Sequence, residues 1–170
     1  MPTASAQVKI DAVRGFGATV DLIDTSKVAR SERVMQLAAT MPGAYIASAY
    51  DDEFVIAGNA TLGEELAMHD FEIIVVPIGG GGLISGIVSG LKPNGTRPNV
   101  IGAEPLSGND AARSLKAGRI IRNEQEPMTI ADGARTLSVG QLNWPIIRDN
   151  VTEIVEVPDE KIAEAVRLYF

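Results

Sequence analysis

The sequence predicts an α/β protein with parallel sheets flanked by helices, on three observations. Apolar runs of strand length alternate with stretches of helical periodicity. The runs are nearly continuously apolar, as strands covered on both faces require. Four consecutive glycines, Gly79-Gly80-Gly81-Gly82, separate one such run from a helical start. Parallel strands joined through helices imply right-handed crossovers. At 170 residues the chain fits one domain of ordinary size or portions of two.

Ala4 to Phe16 reads as a helix, with Ile10, Val13 and Phe16 apolar, Lys9 and Arg14 between them, and Gly15 and Gly17 closing it. Thr19 to Ile23 reads as a strand. Ser26 to Met41 places Val28, Val34, Leu37 and Ala38 at helical spacing and stops at Met41-Pro42-Gly43. A short strand at Ala44 to Ala47 and a turn at Tyr50-Asp51-Asp52 precede a helix from Phe54 to Met68 that carries Ile56, Leu62 and Leu66. Glu72 to Ile78 is the strand before the glycines, and Leu83 to Leu91 is the helix after them. Beyond a loop at Lys92 to Pro98 come a strand (Asn99 to Ala103), two helices (Asp110 to Ala117 and Val139 to Arg148), a strand (Val151 to Val157) and a last helix from Asp159 to Phe170. The sequence contains no internal repeat and no low-complexity tract.

Composition sets the class. A hydrophobic fraction of 45% beside 22% charged residues reads as globular. The formal net charge of -7, without a cluster of Lys and Arg, argues against a nucleic-acid surface, because such binding draws on counterion release. The absence of cysteine excludes a disulfide scaffold, thiolate catalysis and thiolate zinc sites. Gly and Pro break every apolar stretch well short of a membrane span, and no signal-peptide pattern is present. A soluble cytoplasmic protein without nucleic-acid or membrane partners is expected.

The glycine run carries the most chemistry. Glycines at a strand-to-helix junction leave backbone N–H groups unobstructed and permit positive φ, so the loop folds into an anion-holding nest at a helix N-terminus. A flexible turn is the plainer alternative, but it does not explain a buried-type strand on one side and a small-residue helix start on the other. Other residues read as structural. His69 lies at a predicted helix end with no partner at metal or triad spacing, which fits a surface or capping role. Trp144 and Tyr45 fit core or interface packing. Lys9, Lys27, Lys92, Lys116 and Lys161 fall at polar helix positions or in loops and read as solvated surface.

The segment Val75-Val76-Pro77-Ile78-Gly79-Gly80-Gly81-Gly82-Leu83-Ile84-Ser85-Gly86 resembles the phosphate loop of the threonine/serine dehydratase and serine racemase branch of the fold type II enzymes that use pyridoxal 5′-phosphate. The resemblance extends upstream through Met1-Pro2-Thr3-Ala4, Lys9-Ile10, Arg14-Gly15-Phe16-Gly17-Ala18, Tyr50-Asp51-Asp52, Val55-Ile56-Ala57-Gly58 and Thr61-Leu62-Gly63. Downstream it takes in Val100-Ile101-Gly102-Ala103-Glu104-Pro105 and Thr129-Ile130-Ala131-Asp132-Gly133, and so covers essentially the whole chain. Cysteine synthase and threonine synthase relatives share the architecture, and Glu104-Pro105 with Thr129 to Gly133 favours the dehydratase branch.

The resemblance implies a tryptophan-synthase-β-like fold type II architecture, incomplete here, with residues 1–50 belonging to a small cofactor domain and 51–170 to a large one. It implies that Gly79, Gly80, Gly81, Gly82 and the Leu83 amide bind the cofactor phosphate, and that Asp132-Gly133 lines the cofactor pocket. It further implies a divalent cation, Mg²⁺ or Ca²⁺, on Glu104, the Gly108 carbonyl and Asp110, an oxygen-only set suited to hard ions. The alternative for those residues is that Glu104 ends a strand and Asp110 caps a helix. The implied reaction is β-elimination from a hydroxy amino acid such as threonine or serine, releasing a keto acid and ammonia.

The departures matter as well. The Ser-Phe-Lys type segment that supplies the Schiff-base lysine, the Ser-x-Gly-Asn-His type loop for the substrate carboxylate, and the distal Ser or Cys for the pyridine nitrogen are all absent. Ser48-Ala49 stands where the family usually has His-Pro, and Asn59-Ala60 where it has Gln-Gly. The chain therefore reads as a middle piece of a longer enzyme, with no catalytic residue of its own and negligible turnover in isolation. Two other readings compete. In a dinucleotide site of the Rossmann type, Glu104, about 20 residues past the loop, would meet a ribose hydroxyl, though Ser85 occupies the third glycine position. As a non-catalytic assembly module, the piece would self-associate through apolar faces, and a homo-oligomer is expected on the same ground.

Overall fold

The structure, a computed structural model, describes residues 1–91 and 98–169. It divides into two compact units, Met1–Ala47 and Ser48–Phe170. The predicted loop at Lys92 to Pro98, with Lys92 itself, lies outside the described residues except for Pro98.

The first unit holds two helices, α1 (Gln7–Gly15) and α2 (Arg30–Thr40). Both are shorter than their apolar patterns predict, since neither Ala6 nor Ala29, at the N-cap positions, offers a side-chain acceptor. Ile10 is the one buried residue among these 47. The strands expected at Thr19 to Ile23 and Ala44 to Ala47 do not form. Ile23 makes a single parallel bridge to Pro2, with Thr3 donating to its carbonyl and its amide donating to Met1. Strand composition forms a ladder only beside a neighbouring strand, and the described residues of this unit supply no more than that bridge. Arg33 Nε reaches Asp21 at 2.8 Å and fixes the start of the intervening segment.

The second unit begins with α3 (Glu53–Leu66), whose cap is Asp52: its carboxylate accepts from the amides of Phe54 at 2.8 Å and Val55 at 3.2 Å. There follow β1 (Ile73–Pro77), α4 (Gly82–Gly90), β2 (Asn99–Pro105), a 3₁₀ turn (Leu106–Gly108), α5 (Asp110–Ala117), a second 3₁₀ turn (Asp132–Ala134), α6 (Asn143–Asn150), β3 (Glu153–Val157) and α7 (Asp159–Tyr169). The sheet runs β1-β2-β3 and is parallel throughout, with Val76 opposite Gly102 and Gly102 opposite Ile154. This is the predicted parallel α/β arrangement. The helix expected from Val139 begins at Asn143 instead, because the amides of Gly140, Gln141 and Leu142 are drawn to acceptors outside it.

The core gathers Val76, Ile78, Ile84, Ile87, Val88, Val100, Val139, Ile147, Val151 and Ile154, with Trp144 packed at its margin. Helices α3 and α4 approach until their backbones nearly touch. A Cβ on Gly63 would lie 2.2 Å from the Ile87 carbonyl oxygen, and one on Gly90 would lie 2.1 Å from that of Ala60. Only glycine permits that contact, which seats α4 and hence the loop before it. Along β1 the burial alternates: Val76 is buried while Ile73 and Val75 are exposed. The near-continuous apolar strand thus carries one face that no described element covers.

Candidate functional site

The chain leaves β1 at Pro77, and the Ile78 amide still donates to Ala103 at 2.8 Å. The four glycines then turn it through a left-handed residue, Gly81 at φ 95°, directly into α4. The first intrahelical bond is from Ser85 to the Gly81 carbonyl, at 3.0 Å. None of the amides from Gly79 to Ile84 donates to another group among the described residues. A helix start concentrates partial positive charge on such amides, so the turn is built to receive an anion.

One carbonyl of the loop is doubly engaged. The Gly80 oxygen accepts from the Gly140 amide at 2.9 Å and from Asn143 Nδ2 at 3.0 Å. Because a trans peptide sets its C=O and N–H in opposite directions, the Gly81 N–H points away from those donors. A side chain would be crowded or conformationally strained at each glycine of the turn. A Cβ would fall 3.0 Å from the Gly133 oxygen at Gly79, 2.1 Å from the Tyr50 ring at Gly80, 2.8 Å from Ile147 Cδ1 at Gly81, and 2.9 Å from the Tyr50 oxygen at Gly82. The glycine run is thus a close-packed cradle and not a flexible turn.

Three segments brace it. Asn143 Nδ2 also donates to the Tyr50 carbonyl at 2.9 Å, and the Asp51 carboxylate accepts from the amides of Gln141 at 3.0 Å and Leu142 at 2.9 Å. The Gly133 carbonyl sits beside Gly79. That segment is tied to the start of α7: Thr129 Oγ1 donates to Asp159 Oδ1 at 2.6 Å, and the Ile130 amide donates to Asp159 Oδ2 at 3.0 Å.

The carboxylates of Glu104 and Asp110 form a second polar cluster. Glu104, 3% exposed, accepts from the amides of Ala112 at 2.6 Å and Ala111 at 3.3 Å, and so caps α5 from the end of β2. Burial pushes its carboxyl up to about 7, reinforced by the charges of Asp110 and Glu156 and opposed by those amides. Asp110 is 1% exposed; its Oδ1 accepts from Asn123 at 2.9 Å, while its Oδ2 is buried without a hydrogen-bond partner. Burial raises it to about 6 against the opposing pull of amides and Arg113. Gly108, buried, lies in the 3₁₀ turn between them. The cap of α5 is therefore Glu104, six residues before the helix starts, and not Asp110. Among the described residues no group of three or more His, Cys, Asp or Glu is placed to hold a metal ion.

The glycine loop was legible in sequence. Asn143, Asp51, Gly140 and Asp159 as its supports were not; Asp51 showed only as part of a turn. The dinucleotide reading fails on Glu104, whose carboxylate is spent on α5 inside the protein, out of reach of a ribose hydroxyl. His69 is exposed just past α3, its ring 5.5 Å from that of Phe71. The four described lysines are exposed as expected, whereas Tyr45, 76% exposed, packs into no core. No helix among the described residues is long and apolar enough to cross a membrane.

The family model described as "Pyridoxal-phosphate dependent enzyme" matches residues 1–170. The chain is 36% identical over 170 residues to the beta-hydroxyaspartate dehydratase of Paracoccus denitrificans, covering 99% of this chain and 53% of that protein. It is 35% identical over 173 residues to the serine racemase of Schizosaccharomyces pombe, covering 99% and 52%. The solved threonine deaminase from T.th. superimposes with a TM-score of 0.87 at 37% identity, covering 100% of this chain and 56% of that one. The chain spans about half the length of the curated relatives it matches.

Proposed function

The chain belongs to the pyridoxal-phosphate-dependent enzyme family, and on that premise we propose that its glycine cradle holds the phosphate of pyridoxal 5′-phosphate within a dehydratase or ammonia-lyase acting on a hydroxy amino acid such as threonine or serine. The observation that carries the reading is the set of amides from Gly79 to Leu83 without a partner among the described residues, at the start of α4. When bound, the cofactor supplies an electron sink for the α-carbon of an amino acid. The chain's own part is positional. Gly79 to Gly82 and the Leu83 amide hold the ester, Asp132-Gly133 flanks it, and the side-chain-free surface lets the phosphate approach the backbone.

A divalent cation, Mg²⁺ or Ca²⁺, on Glu104, the Gly108 carbonyl and Asp110 belongs to the same proposal. Support comes from the partnerless Asp110 Oδ2 and from the two carboxyls that burial raises, a cost that a cation would relieve. The ion would act as a brace between β2 and α5. The segments that the resemblance assigns to reaction with the amino acid are not found in this sequence, and the four described lysines are exposed. Isolated, the chain binds cofactor without turning over threonine or serine, and the full protein is expected to be a cytoplasmic homo-oligomer.

Pyridoxine 5′-phosphate tests the phosphate reading, because it lacks the aldehyde that would label surface lysines. Titrated into the full chain by calorimetry, it is expected to bind at least about tenfold more tightly than pyridoxine, or about 1.4 kcal/mol. Equal affinities overturn the assignment.

A further inference from the structure

We infer that Asn143 is a positioning residue that fixes the orientation of the Gly80–Gly81 peptide and thereby aims the loop's amides; the inference rests on the phosphate reading above. A run of glycines has the loosest backbone a chain can make, and a peptide between two of them flips at little intrinsic cost. Something outside the run must choose its direction. The Gly80 oxygen has two buried partners, the Gly140 amide at 2.9 Å and Asn143 Nδ2 at 3.0 Å, which fill both its lone pairs. Reversing the peptide would strand both donors in the core and turn a carbonyl toward the anion.

Asn143 is built for this task alone. It is 0% exposed and opens α6, yet both hydrogens of its amide leave the helix, one to Gly80 and one to the Tyr50 carbonyl at 2.9 Å. Its Oδ1 is buried with no partner. A residue that leaves its acceptor unpaired in the core is held there for its NH₂ end. Its Cβ lies 3.1 Å from where a Gly81 Cβ would stand, so the side chain also walls the left-handed residue. Asp51 completes the device by accepting from the Gln141 and Leu142 amides, which sets the turn that presents Gly140 and Asn143 together.

The test is Asn143→Asp in the full chain, which keeps the shape and replaces two donors with an oxygen facing two carbonyls; Asn143→Ser serves if that variant does not fold. Two readouts are taken: amide ¹H–¹⁵N resonances of residues 79–83 without ligand, and the affinity ratio of pyridoxine 5′-phosphate to pyridoxine. Expected are doubled or broadened loop resonances, with the rest of the spectrum unmoved, and a ratio reduced at least tenfold through loss of the phosphate increment while pyridoxine binding holds. Unchanged resonances with an unchanged ratio overturn the inference and leave the phosphate reading standing. A wild-type chain with no phosphate preference overturns the phosphate reading instead; the orienting role is then decided by the ligand-free resonances, disturbed ones supporting it and undisturbed ones overturning it.

Discussion

Thr129 donates its hydroxyl to Asp159 at 2.6 Å, across thirty residues of sequence, and the same carboxylate takes the Ile130 amide at 3.0 Å. One side chain at the start of α7 therefore holds the segment whose Gly133 carbonyl abuts Gly79. Thr129 itself is 4% exposed, although its bond to Asp159 is only part-buried.

Asp159→Ala is expected to cost about 0.5–1.5 kcal/mol, the net worth of hydrogen bonds that are part-buried or exposed, read as a lowered urea midpoint at unchanged slope. The 129–135 segment should become the first protease site. A midpoint shift below about 0.3 kcal/mol would show that the contact contributes nothing.

Two glycines of α3 should respond in opposite directions. Gly58→Ala meets nothing within 4 Å and gains helix propensity, so it stabilises by about 0.5–1 kcal/mol. Gly63→Ala drives a methyl to 2.2 Å from the Ile87 carbonyl oxygen and must push α4 away, at a cost of about 1–3 kcal/mol or more. Parallel urea melts decide the matter, and two shifts of the same sign refute the close-packed α3–α4 contact.

Stability should fall as pH rises through neutrality in metal-free buffer. Glu104 has its carboxyl raised from 4.5 to about 7 and Asp110 from 3.8 to about 6. The folded state thus holds protons that the unfolded state has released. The contribution is full below the unfolded values and is lost as pH climbs through the folded ones. Urea midpoints between about pH 5 and pH 8 should decline for the wild type and flatten for Glu104→Gln, which keeps an acceptor for α5. Millimolar Mg²⁺ or Ca²⁺ should lift the alkaline end if the cation proposal holds. A midpoint that rises over that window contradicts the raised carboxyls.

Gly81→Ala should weaken phosphate-ester binding more than it weakens the fold. The φ of 95° opposes any side chain, and the methyl would meet Ile147 at 2.8 Å. Loss of the left-handed residue costs about 1–2 kcal/mol in stability, and the redirected amides should lower pyridoxine 5′-phosphate affinity at least about tenfold. An affinity matching the wild type would mean that the turn's conformation is irrelevant to the anion.

Elements punctuated by their own residues were legible. The spans of β1, α4 and α5 follow from apolar runs bounded by Gly, Pro and Asp, and the cradle follows from four glycines that no other role explains. Two kinds of feature escaped. Thr19 to Ile23 and Ala44 to Ala47 have strand composition without a ladder to join, and composition cannot supply a neighbour. Asn143 is a polar residue at a helix start and Asp51 one in a turn, and their partners lie 63 to 93 residues away. Glu104 fell between the two: its acidity was visible, but its capping of α5 from the end of β2 depends on how the sheet places it.

The bond from Asn143 to Gly80 also sets an order of assembly during translation. When β1 and α4 first emerge from the ribosome, the residue that must orient their junction is still some sixty codons from being read. On the orienting role proposed for that bond, the nascent turn has until then no Asn143 donor to choose its peptide direction. If the loop holds a phosphate ester as proposed, capture waits for α6 to dock, and ester binding would report late on folding.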